Sequence, residues 1–187
     1  MGRIVVTEFV SLDGVVEAPG GGEDFQHGGW SFDISRGDEG DQFKLDETMS
    51  SEALLLGRVT YEGFAAAWPS RDGEFADKFN QMPKYVVSST LADPDWSNTT
   101  VLSGDVAEEV AKLKQKHEGD VVVHGSPSLV QTLLESDLVD ELRLMVFPVV
   151  LGSGKRLFGG TTDKKPLRLV DSKVVGDGVS ILVYQPA

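Results

Sequence analysis

The sequence predicts an α/β fold, with a mostly parallel central sheet flanked by helices and an antiparallel hairpin at its C-terminal edge. Three observations carry that prediction. Short apolar runs, Ala53-Leu54-Leu55-Leu56, Tyr85-Val86-Val87 and Val121-Val122-Val123, have the pattern of strands buried on both faces. Segments of helical period with start signals separate them. Two strand-like runs, Leu167 to Val175 and Val179 to Tyr184, flank Gly176-Asp177-Gly178, which is a hairpin signal.

The elements follow in order. Arg3 to Val10 reads as the first strand, ended by the turn residues Ser11-Leu12-Asp13-Gly14. Pro19 to Gly40, rich in glycine and acid, is the longest irregular segment. Asp41 to Ser51 has helical spacing, with Phe43, Leu45 and Met49 as its apolar residues. The Ala53–Leu56 strand stops at Gly57, and Thr60 is the expected N-cap of a helix carrying Tyr61, Phe64, Ala65 and Trp68 and stopped by Pro69. Glu74 to Asn80 is a short helix, and Tyr85-Val86-Val87 is a strand running into Ser88-Ser89-Thr90. Asp105 and Glu108 form a capping box for a helix reaching about His117. Asp120 to His124 is a strand. Ser126 as cap and Pro127 in the first turn open a helix to Glu135. Glu141 to Phe147 is the last strand before the hairpin.

Composition narrows the function. The chain has 187 residues, 40% of them hydrophobic, with no internal repeat or dividing linker, so one domain over 1–187 is expected. Thirty acidic against 17 basic side chains give a formal charge of −13, which disfavours a nucleic-acid partner. With no cysteine there is no disulfide framework, thiolate metal site or cysteine nucleophile, and His27, His117 and His124 lack ligand spacing. No apolar run is long enough for a membrane helix, and the first one breaks at Thr7-Glu8, too short for a signal peptide. A cytoplasmic protein without a membrane partner is the expectation.

Three strand ends carry the chemistry: Gly57-Arg58-Val59-Thr60, Ser88-Ser89-Thr90 and Gly125-Ser126-Pro127-Ser128. In open parallel sheets ligands bind outside the carboxyl ends of strands, and helix N-termini attract phosphates. Glycine at 57 and 125 admits a ligand close to the backbone, and Arg58 offers forked donors. A phosphorylated nucleotide is the expected ligand. The common dinucleotide and P-loop fingerprints are both absent.

These segments resemble the dihydrofolate reductase superfamily, and more closely the reductase domain of the bifunctional riboflavin-pathway deaminase/reductase and its stand-alone bacterial relatives. The residues that carry the resemblance are Ser11 to Val15, Leu56 to Glu62, Val86 to Ser89, Val123 to Ser126, Leu138 to Leu144 and Pro148 to Gly154. The resemblance implies a dihydrofolate reductase-like domain and an NADPH-dependent reductase. Its cofactor-binding positions are Gly57, Arg58, Thr60, Ser88, Ser89, Gly125, Ser126 and Leu129, with Arg58 reading the 2′-phosphate. Pro127 departs from the pattern, since proline has no amide to donate. The resemblance also places a catalytic acid near Asp41, which as a sequence reads equally as a helix cap, and Asp13 is a second candidate. It makes Val15 to Trp30 a lid. No zinc-deaminase signature is present. The implied substrate is a small heterocycle, pterin-like or ribosylaminopyrimidine-like. The alternative is a non-catalytic nucleotide-binding module of the same fold. The apolar residues Leu142, Leu144 and Val146, with Phe147 to Leu151, exceed the needs of one sheet face. A homodimer through them or the terminal hairpin is expected.

Overall fold

The computed structural model describes residues 1–187. It has one sheet of eight strands: β1 (Arg3–Ser11), β2 (Ser51–Gly57), β3 (Lys84–Val87), β4 (Thr99–Leu102), β5 (Asp120–His124), β6 (Glu141–Phe147), β7 (Leu167–Val175) and β8 (Val179–Pro186). The helices are α1 (Gly37–Ser50), α2 (Arg58–Ala67), α3 (Glu74–Gln81), α4 (Val106–Lys116) and α5 (Pro127–Glu135). The strand order is β4-β3-β2-β5-β1-β6-β8-β7. The pairs among β1 to β6 are parallel; β8 runs antiparallel to β6, and β7 antiparallel to β8.

Alternation along each strand divides the core between two faces. Ile4, Val6, Leu55, Val121, Val123, Leu142 and Leu144 pack under α4 and α5 with Val110, Leu113, Val130 and Leu133. On the other face Leu54, Leu56 and Val86 meet Tyr61 and Phe79 of α2 and α3. Met145, Phe147, Val179 and Ile181 meet Trp30 there, with Phe43 of α1 beside them. Between these two patches the face is polar. Helix α1 buries Gly40, Lys44, Glu47 and Thr48, while Met49 is exposed. The buried face of this helix is therefore made of Lys44, Glu47 and Thr48 instead of its apolar residues Phe43, Leu45 and Met49.

Several local expectations change. β4 carried no strong sequence signal, because it is a four-residue edge strand with its first three residues partly or fully exposed. Helix α1 starts at Gly37, so Asp41 is not its cap. Helix α2 starts at Arg58 directly from β2, with Gly57 in the cap position; Thr60 lies inside it. Half of the Asp105 capping box forms, the Glu108 amide donating to Asp105 Oδ1 at 3.0 Å. No helix is long and apolar enough to cross a membrane.

Candidate active site

β3, β2 and β5 are neighbours in the sheet, so the three strand ends singled out above lie side by side along one edge. The chain leaves β2 toward the face that holds α2, and leaves β5 toward the face that holds α5. Such a divergence opens a crevice outside the strand ends.

Gly125 and Ser126 have φ of 54° and 57°, two consecutive left-handed residues between β5 and α5. A Cβ on Gly125 would lie 2.8 Å from Thr60 Oγ1, so strain and sterics both demand glycine. A Cβ on Gly57 would lie 3.3 Å from that of Ser126. The turn is clasped to α2. Gly57 N donates to Ser126 Oγ at 2.9 Å, Ser126 N donates to Thr60 Oγ1 at 3.0 Å, and Ser126 Oγ donates to His124 O at 3.1 Å. The Ser126 hydroxyl thus holds two strand ends together instead of capping α5, although Ser126 occupies the cap position. Gly125 N donates to Glu8 Oε2 at 3.1 Å.

Along the edge, the Arg58 guanidinium is held by Glu62 at 2.8 Å and by the Thr90 hydroxyl, and is partly exposed. Ser88 Oγ accepts from the amides of Thr90 and Leu91, a local turn that fixes the end of β3. Ser89 is exposed beside it. Leu129 differs from the rest: its side chain is 7% exposed and belongs to the core, so only its first-turn amide faces the edge. The structure brings Gly57, Arg58, Thr60, Ser88, Ser89, Gly125 and Ser126 to one edge.

Neither expected acid stands in a catalytic setting. Asp41 is exposed on α1 and paired with Arg36 Nε at 2.5 Å, away from any apolar wall. Asp13 accepts from Ser11 Oγ at 2.6 Å, Gly152 N at 2.8 Å and Leu151 N at 3.1 Å, and these donors hold its carboxyl well below the usual range. It is an ionised clasp that ties the turn after β1 to the loop after β6. The segment from 15 to 30 is anchored to that loop by Val16 N, which donates to Lys155 O at 2.9 Å, and closed on itself by Trp30 Nε1, which donates to Glu17 O at 2.9 Å. Val15, Val16, Ala18 and Trp30 are buried, and only the stretch between them is open.

The sequence reading missed a buried charge network beside this edge. Lys44 Nζ donates to Thr7 Oγ1 at 2.8 Å and pairs with Glu47 at 2.5 Å. Glu47 also pairs with Arg143 at 3.3 Å, and Arg143 reaches Asp120 and Glu141. The Lys44 and Arg143 charges hold Glu47 ionised against its burial. His124 is packed against Phe64 and Phe79, and burial, aided by Lys44, pushes it down to about 3, so it is neutral. The signal available was Thr7-Glu8, two polar residues interrupting an apolar strand.

Comparison with known proteins agrees with this architecture. The protein YyaP of Bacillus subtilis (strain 168) is 30% identical over 187 residues, spanning 97% of this chain and 94% of YyaP. A crystal structure from Shewanella sp. PV-4, of a protein provisionally assigned to riboflavin biosynthesis, superposes with a TM-score of 0.80 at 22% identity, covering 99% of both chains. Dihydrofolate reductase from Enterococcus faecalis, complexed with NADP(H), superposes at 0.64 and 16% identity over 98% of this chain and 96% of that one. The fold is therefore dihydrofolate reductase-like. The family model for the RibD C-terminal domain matches residues 3–181, and with that match spanning nearly every strand described above, the chain belongs to the RibD C-terminal domain family.

Proposed function

We propose that this protein is an NADPH-dependent reductase acting by hydride transfer on a small heterocyclic, pterin-like or ribosylaminopyrimidine-like, substrate. The observation that carries this reading is the edge itself: Gly57, Arg58, Ser88 and Gly125 stand on three adjacent strand ends, with the N-termini of α2 and α5 opening there. Membership of the RibD C-terminal domain family and the dihydrofolate reductase-like fold support it. What supports a phosphate-bearing cofactor is the pair of helix N-termini at this edge and the guanidinium at its outer end; Gly57 and Gly125 are packed against Ser126 and Thr60. The cofactor, when bound, supplies the hydride. In this reading the chain orients it: Arg58 holds a 2′-phosphate and the segment from 15 to 30 excludes water.

The test is a titration with NADPH and NADH, followed by quenching of tryptophan fluorescence. NADPH is expected to bind in the micromolar range. Arg58→Ala is expected to weaken NADPH about tenfold and leave NADH nearly unchanged, the loss of one charge-assisted contact. Equal losses for both would remove Arg58 from the 2′-phosphate. A second reading, the non-catalytic module, has one specific observation in its favour: the amides of Gly57, Gly125 and Ser126 are already bound within the protein, and Pro127 has none. Binding of neither nucleotide would favour it.

We also infer a homodimer, through the terminal hairpin. Leu142 and Leu144 are in the main core, because β6 is a central strand, so these two do not form the interface, while Val150 beyond the strand is exposed. β7 is the edge strand, and Leu169, Val170 and Val174 on it are exposed. Sedimentation should show a dimer that Val174→Glu converts to monomer; a monomeric parent protein would end this inference.

A further inference from the structure

Glu8 is the one polar group of this edge with no explanation in the packing. It lies in β1, between β5 and β6, and is 4% exposed. Its strand neighbours Val6 and Val10 and its β6 partner Leu144 belong to the apolar core, so the side chain leaves the sheet on the face covered by α5. One oxygen, Oε2, accepts from Gly125 N at 3.1 Å, which sets the carboxyl head directly against the left-handed turn. The other, Oε1, is buried and has no partner. A buried polar atom left unpaired costs on the order of 1–3 kcal/mol, and native proteins rarely carry one without a use.

We propose that Glu8 is a ligand-contacting residue of this edge, its carboxylic acid donating from Oε1 to an anionic phosphate oxygen seated on the Gly125–Ser126 turn. This rests on the nucleotide reading above. Ionised, the side chain would repel a phosphate and hold the Gly125 amide for itself. Protonated, it keeps a carbonyl oxygen for Gly125 and presents a hydroxyl that lacks an acceptor. The ionisable groups that act on it are Lys44 and Glu47 from α1, of opposite sign; neither makes a hydrogen bond to it, and His124 on β5 nearby is neutral. Burial outweighs the Lys44 charge and the Gly125 hydrogen bond and raises the Glu8 carboxyl well above the usual range. Ligand uptake is thereby coupled to a proton held on Glu8. Pro127 removes one amide from the turn, and the Glu8 hydroxyl supplies a donor in its place.

The test compares the parent protein with Glu8→Gln and Glu8→Ala, titrated with NADPH and separately with inorganic pyrophosphate, from about pH 6 to about pH 9. Glutamine keeps a donor without a titrating proton. The parent should lose roughly tenfold in affinity across that range relative to Glu8→Gln, which should match the parent at the acid end. Glu8→Ala should be about tenfold weaker at the acid end, with circular dichroism confirming its fold. Infrared spectra of the ligand-free protein should show a neutral carboxylic-acid carbonyl band that Glu8→Gln removes. Parallel pH profiles for parent and Glu8→Gln, or absence of that band near neutral pH, would overturn the proposal while leaving the nucleotide reading intact. A parent that binds neither probe at any pH would overturn both.

Discussion

Replacement of Arg143 by leucine is expected to lower the free energy of unfolding by about 3–4 kcal/mol. Arg143 is a bridge among three carboxylates: Glu141 at 2.6 Å, Asp120 at 3.1 Å and Glu47 at 3.3 Å. Those side chains are 9%, 11% and 2% exposed, so none can recover its hydration when the guanidinium leaves. The loss is not larger because each has a second cation. Arg3 reaches Asp120 at 2.8 Å and Glu141 at 3.2 Å, and Lys44 stays with Glu47. Urea denaturation measures it directly. Arg143→Lys keeps the charge but not the fork, and should cost roughly half as much. Glu47→Gln in the Arg143→Leu background should deepen the loss, since the buried Lys44 ammonium then loses its carboxylate. A cost below about 1 kcal/mol would mean that the cluster behaves like an exposed ion pair.

Lys84→Met is expected to cost about 3 kcal/mol, for a different reason. The Lys84 ammonium donates to three backbone carbonyls, Asn80 at 2.8 Å and Met82 and Ser97 at 2.9 Å, and stands 4.4 Å from the centre of the Trp96 ring. The residue is fully buried. It caps the C-terminus of α3, where carbonyls lack helical partners, and ties that end to the segment leading into β4. Methionine preserves length and apolar contact but leaves these acceptors empty. The same clasp sets the start of β3, whose far end carries Ser88, so the variant should also weaken NADPH binding, by less than Arg58→Ala does. Thermal unfolding and the fluorescence titration check the two effects. An unchanged melting temperature would show that solvent reaches those carbonyls.

Three of the buried strands were legible because each is an uninterrupted apolar run, the usual pattern of a strand hidden on both faces. Leu54 to Leu56, Tyr85 to Val87 and Val121 to Val123 are such cases, and each lies where the sequence reading placed it. The terminal hairpin was legible through Gly176 and Gly178, which have φ of 51° and 92°. β4 was not, since an exposed four-residue edge strand has little apolar pattern to display. The buried face of α1 was misread for the opposite reason: Lys44 and Glu47 carry the residue types of a solvated surface, and only their partners Thr7 and Arg143 make burial tolerable.

The candidate site divides in the same way. Gly57, Arg58, Ser88, Gly125 and Ser126 could be singled out as glycines and polar residues at the ends of apolar runs, and their common edge followed once the strands were taken as parallel. What each one does there depended on contacts across the chain. Thr60 reads as a helix cap until the Ser126 amide is found on its hydroxyl, and Asp13 as a catalytic acid until the amides of Leu151 and Gly152 are found on its carboxylate. Local sequence therefore determined every strand but β4, most of the helices and the residues lining the edge, because periodicity and turn chemistry act over a few residues. Protonation and hydrogen-bond role were decided by tertiary structure alone. Burial and partner charge set them, and apart from Lys44, which lies one turn from Glu47, the groups that bury or pair Glu8, Glu47 and His124 come from helices and strands far away in the chain.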